Sequence, residues 1–111
     1  MLCMRAEALK GHLDGLLLAV LESGPAHGYA VIDALRAGSG GTFDLPTGTV
    51  YPALHRLEDL GFLTSTWSGG HGRKRRVYQL TAQGRRALVE QRTAWRQFAG
   101  AVSSVMNGAQ P

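Results

Sequence analysis

Leu9, Leu13, Leu16, Leu17, Val20 and Leu21 recur at helical spacing and predict a helix from about Leu9 to Glu22 with one apolar face. Ser23, Gly24 and Pro25 stop it. Tyr29, Val31, Ile32 and Leu35 predict a second, shorter helix, ended by the flexible run Gly38 to Gly41. Thr42 to Leu45 is too short to assign beyond an extended lead into Pro46. A third helix is predicted from Thr47, placed as its N-cap, to Leu60, with Val50, Leu54 and Leu57 as the buried stripe, Ala53 and Leu60 on its flank, and Gly61 as its stop. Pro52 conflicts with that helix, because it has no backbone N–H and disfavours helical geometry at Tyr51. Either the helix is distorted there or its regular part starts later than Thr47.

The period then changes. Phe62 to Trp67 and Arg76 to Thr81 are β-branched and aromatic enough to form two strands, joined by the glycine-rich and then basic segment Ser68 to Arg75. Trp67 is expected to pack at the base of this hairpin. From Thr81 onward the chain turns helical again. Leu88, Trp95 and Val102 lie seven apart, with Phe98 and Val105 offset by three from the last two, which is a short heptad seam that Gln91 interrupts. The expected fold is mainly α with a small β-hairpin: a winged helix-turn-helix over residues 1–81, a C-terminal dimerisation helix over 82–108 and a loose tail over 109–111.

Charge sharpens the picture. The net charge is +4, but residues 1–60 carry four basic and seven acidic side chains, whereas residues 61–111 carry eight basic and only Glu90 as an acid. Such asymmetry suggests a polyanionic partner, nucleic acid or an anionic membrane surface, against the plainer reading of a solvated basic face. No apolar run approaches the ~20 residues of a membrane helix. Met1 to Lys10 lacks the apolar core and cleavage site of a secretory signal, so the expected location is cytoplasmic. Cys3 is the only cysteine, and His12, His27, His55 and His71 show no ligand spacing, so neither metal nor cofactor is expected. No nucleophile with a base, phosphate loop or carboxylate cluster suggests an enzyme.

Three helices followed by a basic hairpin suit duplex DNA: one helix enters the major groove while the wing supplies Lys and Arg to phosphates. On that reading Thr47, Thr49, Tyr51, His55 and Arg56 face the groove and its edge. Arg73, Lys74 and Arg75, with Arg76 beside them, meet the backbone, and Tyr29 reaches phosphates from the second helix. Tyr29 reads equally well as a core-edge residue, the Tyr51 ring could rest beside Leu54, and Arg56 could instead pair with Asp59 or Asp33. A competing function is a winged-helix protein-interaction module without specific DNA binding. A single-strand or RNA binder is weaker, since the wing lacks an aromatic platform.

His27-Gly28-Tyr29, the stretch Gly48 to Glu58 with its Thr49, Tyr51, Pro52, Leu54, Arg56 and Leu57, Gly61, and Gly72 to Tyr78 with Leu80, Thr81 and Gly84 resemble the PadR family of bacterial transcriptional regulators. The resemblance runs from about Leu9 to Val105. It implies a homodimeric regulator, usually a repressor, with Thr47 to Leu60 as recognition helix and a single C-terminal helix for dimerisation, as in the compact subfamily. The seam residues Leu88, Trp95, Phe98, Val102 and Val105 would form that interface. Trp95 lies fourteen residues after Thr81, and this placement resembles that of a tryptophan which, in compact multidrug regulators of the family, stacks with its symmetry mate around a flat aromatic ligand. Trp95 is thus either a dimer anchor alone or also a contact for a small aromatic effector.

Overall fold

The computed structural model describes residues 9, 11–69, 72 and 74–108. Helix α1 (Leu13–Leu21) buries Leu17, Leu18 and Leu21. It is shorter than its apolar pattern, because Gly11 takes a left-handed φ of 90° and breaks the chain ahead of His12. Leu9 reaches the core from the far side of that break. Periodicity marks burial here rather than helix length.

A two-residue strand, β1 (Ala26–His27), leads directly into α2 (Gly28–Gly38). His27 is the N-cap of α2, its Nδ1 accepting the Ala30 backbone N–H at 3.3 Å, and Val31, Ile32 and Leu35 face the core. Helix α3 (Thr47–Asp59) buries the expected stripe of Val50, Leu54 and Leu57, together with Ala53. Its N-cap is Pro46 rather than Thr47: the Pro46 carbonyl accepts from the N–H groups of Thr49 and Val50 at 3.0 and 3.1 Å. The helix runs through Pro52. That residue lies on the exposed side, as does Gly48, whose carbonyl forgoes the donor that Pro52 lacks. At the other end the Phe62 N–H bonds the Leu57 carbonyl and the Gly61 N–H that of Glu58, a Schellman closure that uses the left-handed φ of 85° at Gly61.

Strands β2 (Leu63–Ser68) and β3 (Arg75–Leu80) form the wing, each shifted by one residue from its expected limits. With β1 they make an antiparallel sheet in the order β1-β3-β2, pairing Ala26 with Tyr78, Ser65 with Tyr78 and Trp67 with Arg76. Leu63, Tyr78 and Leu80 join the core shared by α1, α2 and α3.

Helix α4 (Ala82–Met106) starts at Thr81, whose hydroxyl accepts from the Gly84 N–H at 3.0 Å and donates to the Gly61 carbonyl at 2.7 Å. Its 25 residues extend about 37 Å at 1.5 Å per residue. Only Gly84 and Leu88 are buried along it. Leu88, expected on the dimer seam, is 2% exposed inside the chain's own core. Gln91, the break in the seam, sits against Gly15 of α1, where an added Cβ would come within 3.3 Å of it. Arg92 clasps Glu22 through two hydrogen bonds of 3.1 and 2.7 Å. The first turns of α4 therefore serve intrachain packing, and the heptad pattern is free for another partner only from Trp95 onward.

Candidate nucleic-acid interface

The start of α2, the second and third turns of α3 and the facing parts of β2 and β3 border an open cleft of about 490 Å3. Each element delivers its side chain for a local reason. β1 pairs with β3 and then turns into α2, which brings His27, Gly28 and Tyr29 beside the wing. Tyr51 and His55, four residues apart on one face of α3, line the same space. Lys74, Arg75 and Arg76 supply three cations and Trp67 and Tyr78 complete the wall; among the described residues no carboxylate lines the cleft, though Glu58 pairs with Arg76 at its edge.

Tyr29 is 62% exposed and meets Tyr51 edge to face at 6.1 Å, so it is not a core-edge residue. The Tyr51 ring lies over Gly28: a Cβ there would stand 2.4 Å from it, so only glycine fits. The structure therefore seats this ring against α2 as well as on the core. Burial pushes the Tyr51 hydroxyl up in pKa, nearby Tyr29 adds to the shift, and Arg75 opposes it. Burial is likewise the main cause of the upward shift at Tyr78, opposed by Arg76. Both phenols are neutral near pH 7. The Tyr78 hydroxyl is buried without a hydrogen-bond partner among the described residues.

Of the residues expected at the interface, Tyr29, Tyr51, His55, Lys74 and Arg75 come together in the cleft. Thr47 and Thr49 lie outside it at the start of α3. Arg56 is exposed but turns to Asp14 of α1 in an ion pair, rather than to Asp59 or Asp33. Asp33 is paired with Arg36 instead. Arg73 lies outside the described residues. Arg76 is held by Ser65 at 2.8 Å and Glu58 at 3.5 Å, with its guanidinium 5.6 Å from the Trp67 ring. Trp67 itself is 64% exposed: strand register sets it opposite Arg76, away from the base of the wing.

His27 and Tyr78 were not legible as site residues. In the sequence both stand among the residues that carry the family resemblance, with no spacing that marks them as a site.

A second exposed surface runs along α4. Trp95 and Phe98 are 52% and 53% exposed, their rings 6.0 Å apart, and Val102, Val105 and Met106 continue the apolar face. His12, the N-cap position of α1, closes on the same pair at 5.3 Å from Trp95 and 5.7 Å from Phe98. Among the described residues no helix is long and apolar enough to cross a membrane, and no group of three His, Cys, Asp or Glu could hold a metal ion.

The family model described as the transcriptional regulator PadR-like family matches residues 17–90. Transcriptional regulator Rv3488 of Mycobacterium tuberculosis is 52% identical over 52 residues, a match covering 47% of this chain and 49% of that protein. The matched stretch thus spans about half the length of that curated relative. A PadR family transcriptional regulator from Eggerthella lenta is 33% identical and superimposes with a TM-score of 0.79, covering 90% of this chain and 86% of the other. Bacillus subtilis PadR, solved in complex with operator DNA, is 25% identical with a TM-score of 0.65, covering 71% of this chain and 45% of that one.

Proposed function

The chain belongs to the PadR-like family of transcriptional regulators, and we propose that it acts as a homodimeric repressor that binds a palindromic operator in duplex DNA. The observation that carries this reading is the cleft itself, in which Lys74 and Arg75 stand beside the exposed face of α3 and, among the described residues, no carboxylate belongs to the lining. Such a surface attracts a phosphate backbone and leaves an adjoining helix free to enter the major groove. The Bacillus subtilis relative solved with operator DNA supports it.

The parts divide the work. Tyr29, Tyr51, Lys74 and Arg75 hold the backbone, joined by Arg73 outside the described residues, while Thr47, Thr49 and His55 read base edges from α3. Arg56 reaches the groove by exchanging Asp14 for DNA. Pairing two readers across a two-fold axis through Trp95, Phe98, Val102 and Val105 supplies operator specificity, with half-sites about 34–36 Å apart. Trp95, half exposed beside Phe98, is where a flat aromatic ligand would enter between the two protomers and relieve repression.

A mobility-shift assay with duplex from the region upstream of the protein's own gene tests the proposal. Tight binding there, weak binding to a scrambled duplex, and loss of both on converting Arg73, Lys74 and Arg75 to glutamine are expected. Equal affinity for every duplex, or binding indifferent to those charges, sinks it.

A further inference from the structure

The two nitrogens of His27 face two hydrogen-bond donors. Nδ1 takes the Ala30 N–H as the cap of α2, and Nε2 lies 3.1 Å from Nη1 of Arg75. A neutral imidazole carries one donor and one acceptor, and a guanidinium has no acceptor at all. Only one of these contacts can be accepted by the neutral ring: one tautomer accepts Arg75 at Nε2, while the tautomer that caps α2 through Nδ1 puts its proton on Nε2, facing the Arg75 N–H. In the capping tautomer two donors converge on one spot with no acceptor between them.

Beside this pair Tyr51 presents a neutral hydroxyl and Lys74 adds a cation, while the Tyr78 hydroxyl, buried behind them, has no hydrogen-bond partner among the described residues. Donors of this kind, gathered where no described carboxylate belongs to the lining and the neighbouring Glu58 is taken up by Ser65 and Arg76, suit an oxyanion.

We infer that the cleft seats one backbone phosphate of the bound duplex, a single oxygen of which accepts from His27 Nε2–H and Arg75 together. This rests on the reading that the chain binds duplex DNA. His27 becomes a DNA-contacting residue as well as a helix cap. The seated phosphate ties the first turn of α2 to the wing, because each contributes one of the two donors and they already meet across the β1–β3 pairing.

The test is a set of fluorescence-anisotropy titrations with a labelled 24-base-pair duplex over a range of salt, using His27→Asn, Arg75→Gln and the double variant. Asparagine is itself a favoured N-cap and keeps the Ala30 contact while removing the second nitrogen, and a thermal melt of each variant checks that the fold is kept. His27→Asn is expected to weaken binding about ten-fold with an unchanged salt slope, since no net charge is lost. Arg75→Gln is expected to weaken it further and to lower the slope by about 0.9. The double variant should lose less than the product of the two single effects, because both donors serve one oxygen.

A second readout separates contact from mere support: the Nε2 resonance of His27 in long-range proton–nitrogen spectra should shift on adding duplex and keep its proton. Wild-type affinity in His27→Asn, or a His27 resonance indifferent to duplex, overturns this inference while leaving DNA binding intact. Failure of the wild-type chain to bind any duplex at low salt overturns the underlying reading, and this one with it.

Discussion

Replacing Gly84 with alanine sets helix propensity against packing. Taken alone, alanine in place of glycine within a helix gains roughly 0.5–1 kcal/mol. At this position, however, the new Cβ would stand 2.0 Å from the Phe62 carbonyl oxygen and 3.0 Å from its carbon. Non-bonded atoms rest near 3.5 Å, so the start of α4 must shift by an ångström or more. The same carbonyl accepts the Thr81 N–H at 3.1 Å, and Thr81 bonds Gly61 and Gly84 at 2.7 and 3.0 Å.

Straining those three hydrogen bonds, at about 1 kcal/mol each, together with about 1–3 kcal/mol of overpacking, outweighs the propensity gain. The expected outcome is a loss of about 3–5 kcal/mol, on the order of 15–25 °C in Tm for a chain of this size. Gly100 provides the contrast. It lies exposed on the same helix with nothing within 4 Å of an added Cβ, so Gly100→Ala should raise Tm slightly. Melting both variants by circular dichroism at one fixed protomer concentration decides the matter. If Gly84→Ala melts at or above Gly100→Ala, the packing argument is wrong.

Other perturbations probe the remaining parts. Gly28→Ala drives a methyl to within 2.4 Å of the Tyr51 ring; the ring should swing outward, with the fold kept and duplex affinity down about ten-fold, a drop in line with losing one charge-assisted hydrogen bond. Unchanged anisotropy titrations would show that Tyr51 does not need its seat. Converting Trp95 and Phe98 together to aspartate should yield a monomer by sedimentation velocity and abolish operator binding, and a persisting dimer would place the interface elsewhere. Glu22 is held below the usual carboxylate range by the Arg92 hydrogen bond. Its contribution is therefore present above the unfolded pKa and lost as pH falls through the lowered folded one. Glu22→Gln should reduce stability slightly near neutrality and not at all in strong acid, and a titration curve for Glu22 at or above the ordinary range would contradict it.

What could be read from the chain beforehand depended on how local its cause was. The stripes of α2 and α3 repeat often enough to be seen, the wing strands show in their β-branched and aromatic content, and Gly61 marks a helix end through its own backbone freedom. Helix α1 was overextended because Leu9 is buried like a helical residue although Gly11 has already turned the chain. Strand β1 has two residues, too few for any period, and exists through its pairing with β3. Arg56 finds Asp14 across 42 residues of chain, and His27 meets Arg75 across 48; no spacing rule connects such pairs. Leu88 fits the heptad seam by position, yet burial shows that its first partners are in its own domain.

The central claim is that two copies of this chain read one palindrome, and selection from a pool of random duplexes tests it most directly. After several rounds of binding to the purified protein, the account predicts that an inverted repeat dominates the pool, its half-sites about one helical turn apart, as a two-fold dimer requires. A pool that stays random, or that converges on a single unpaired site, would contradict it.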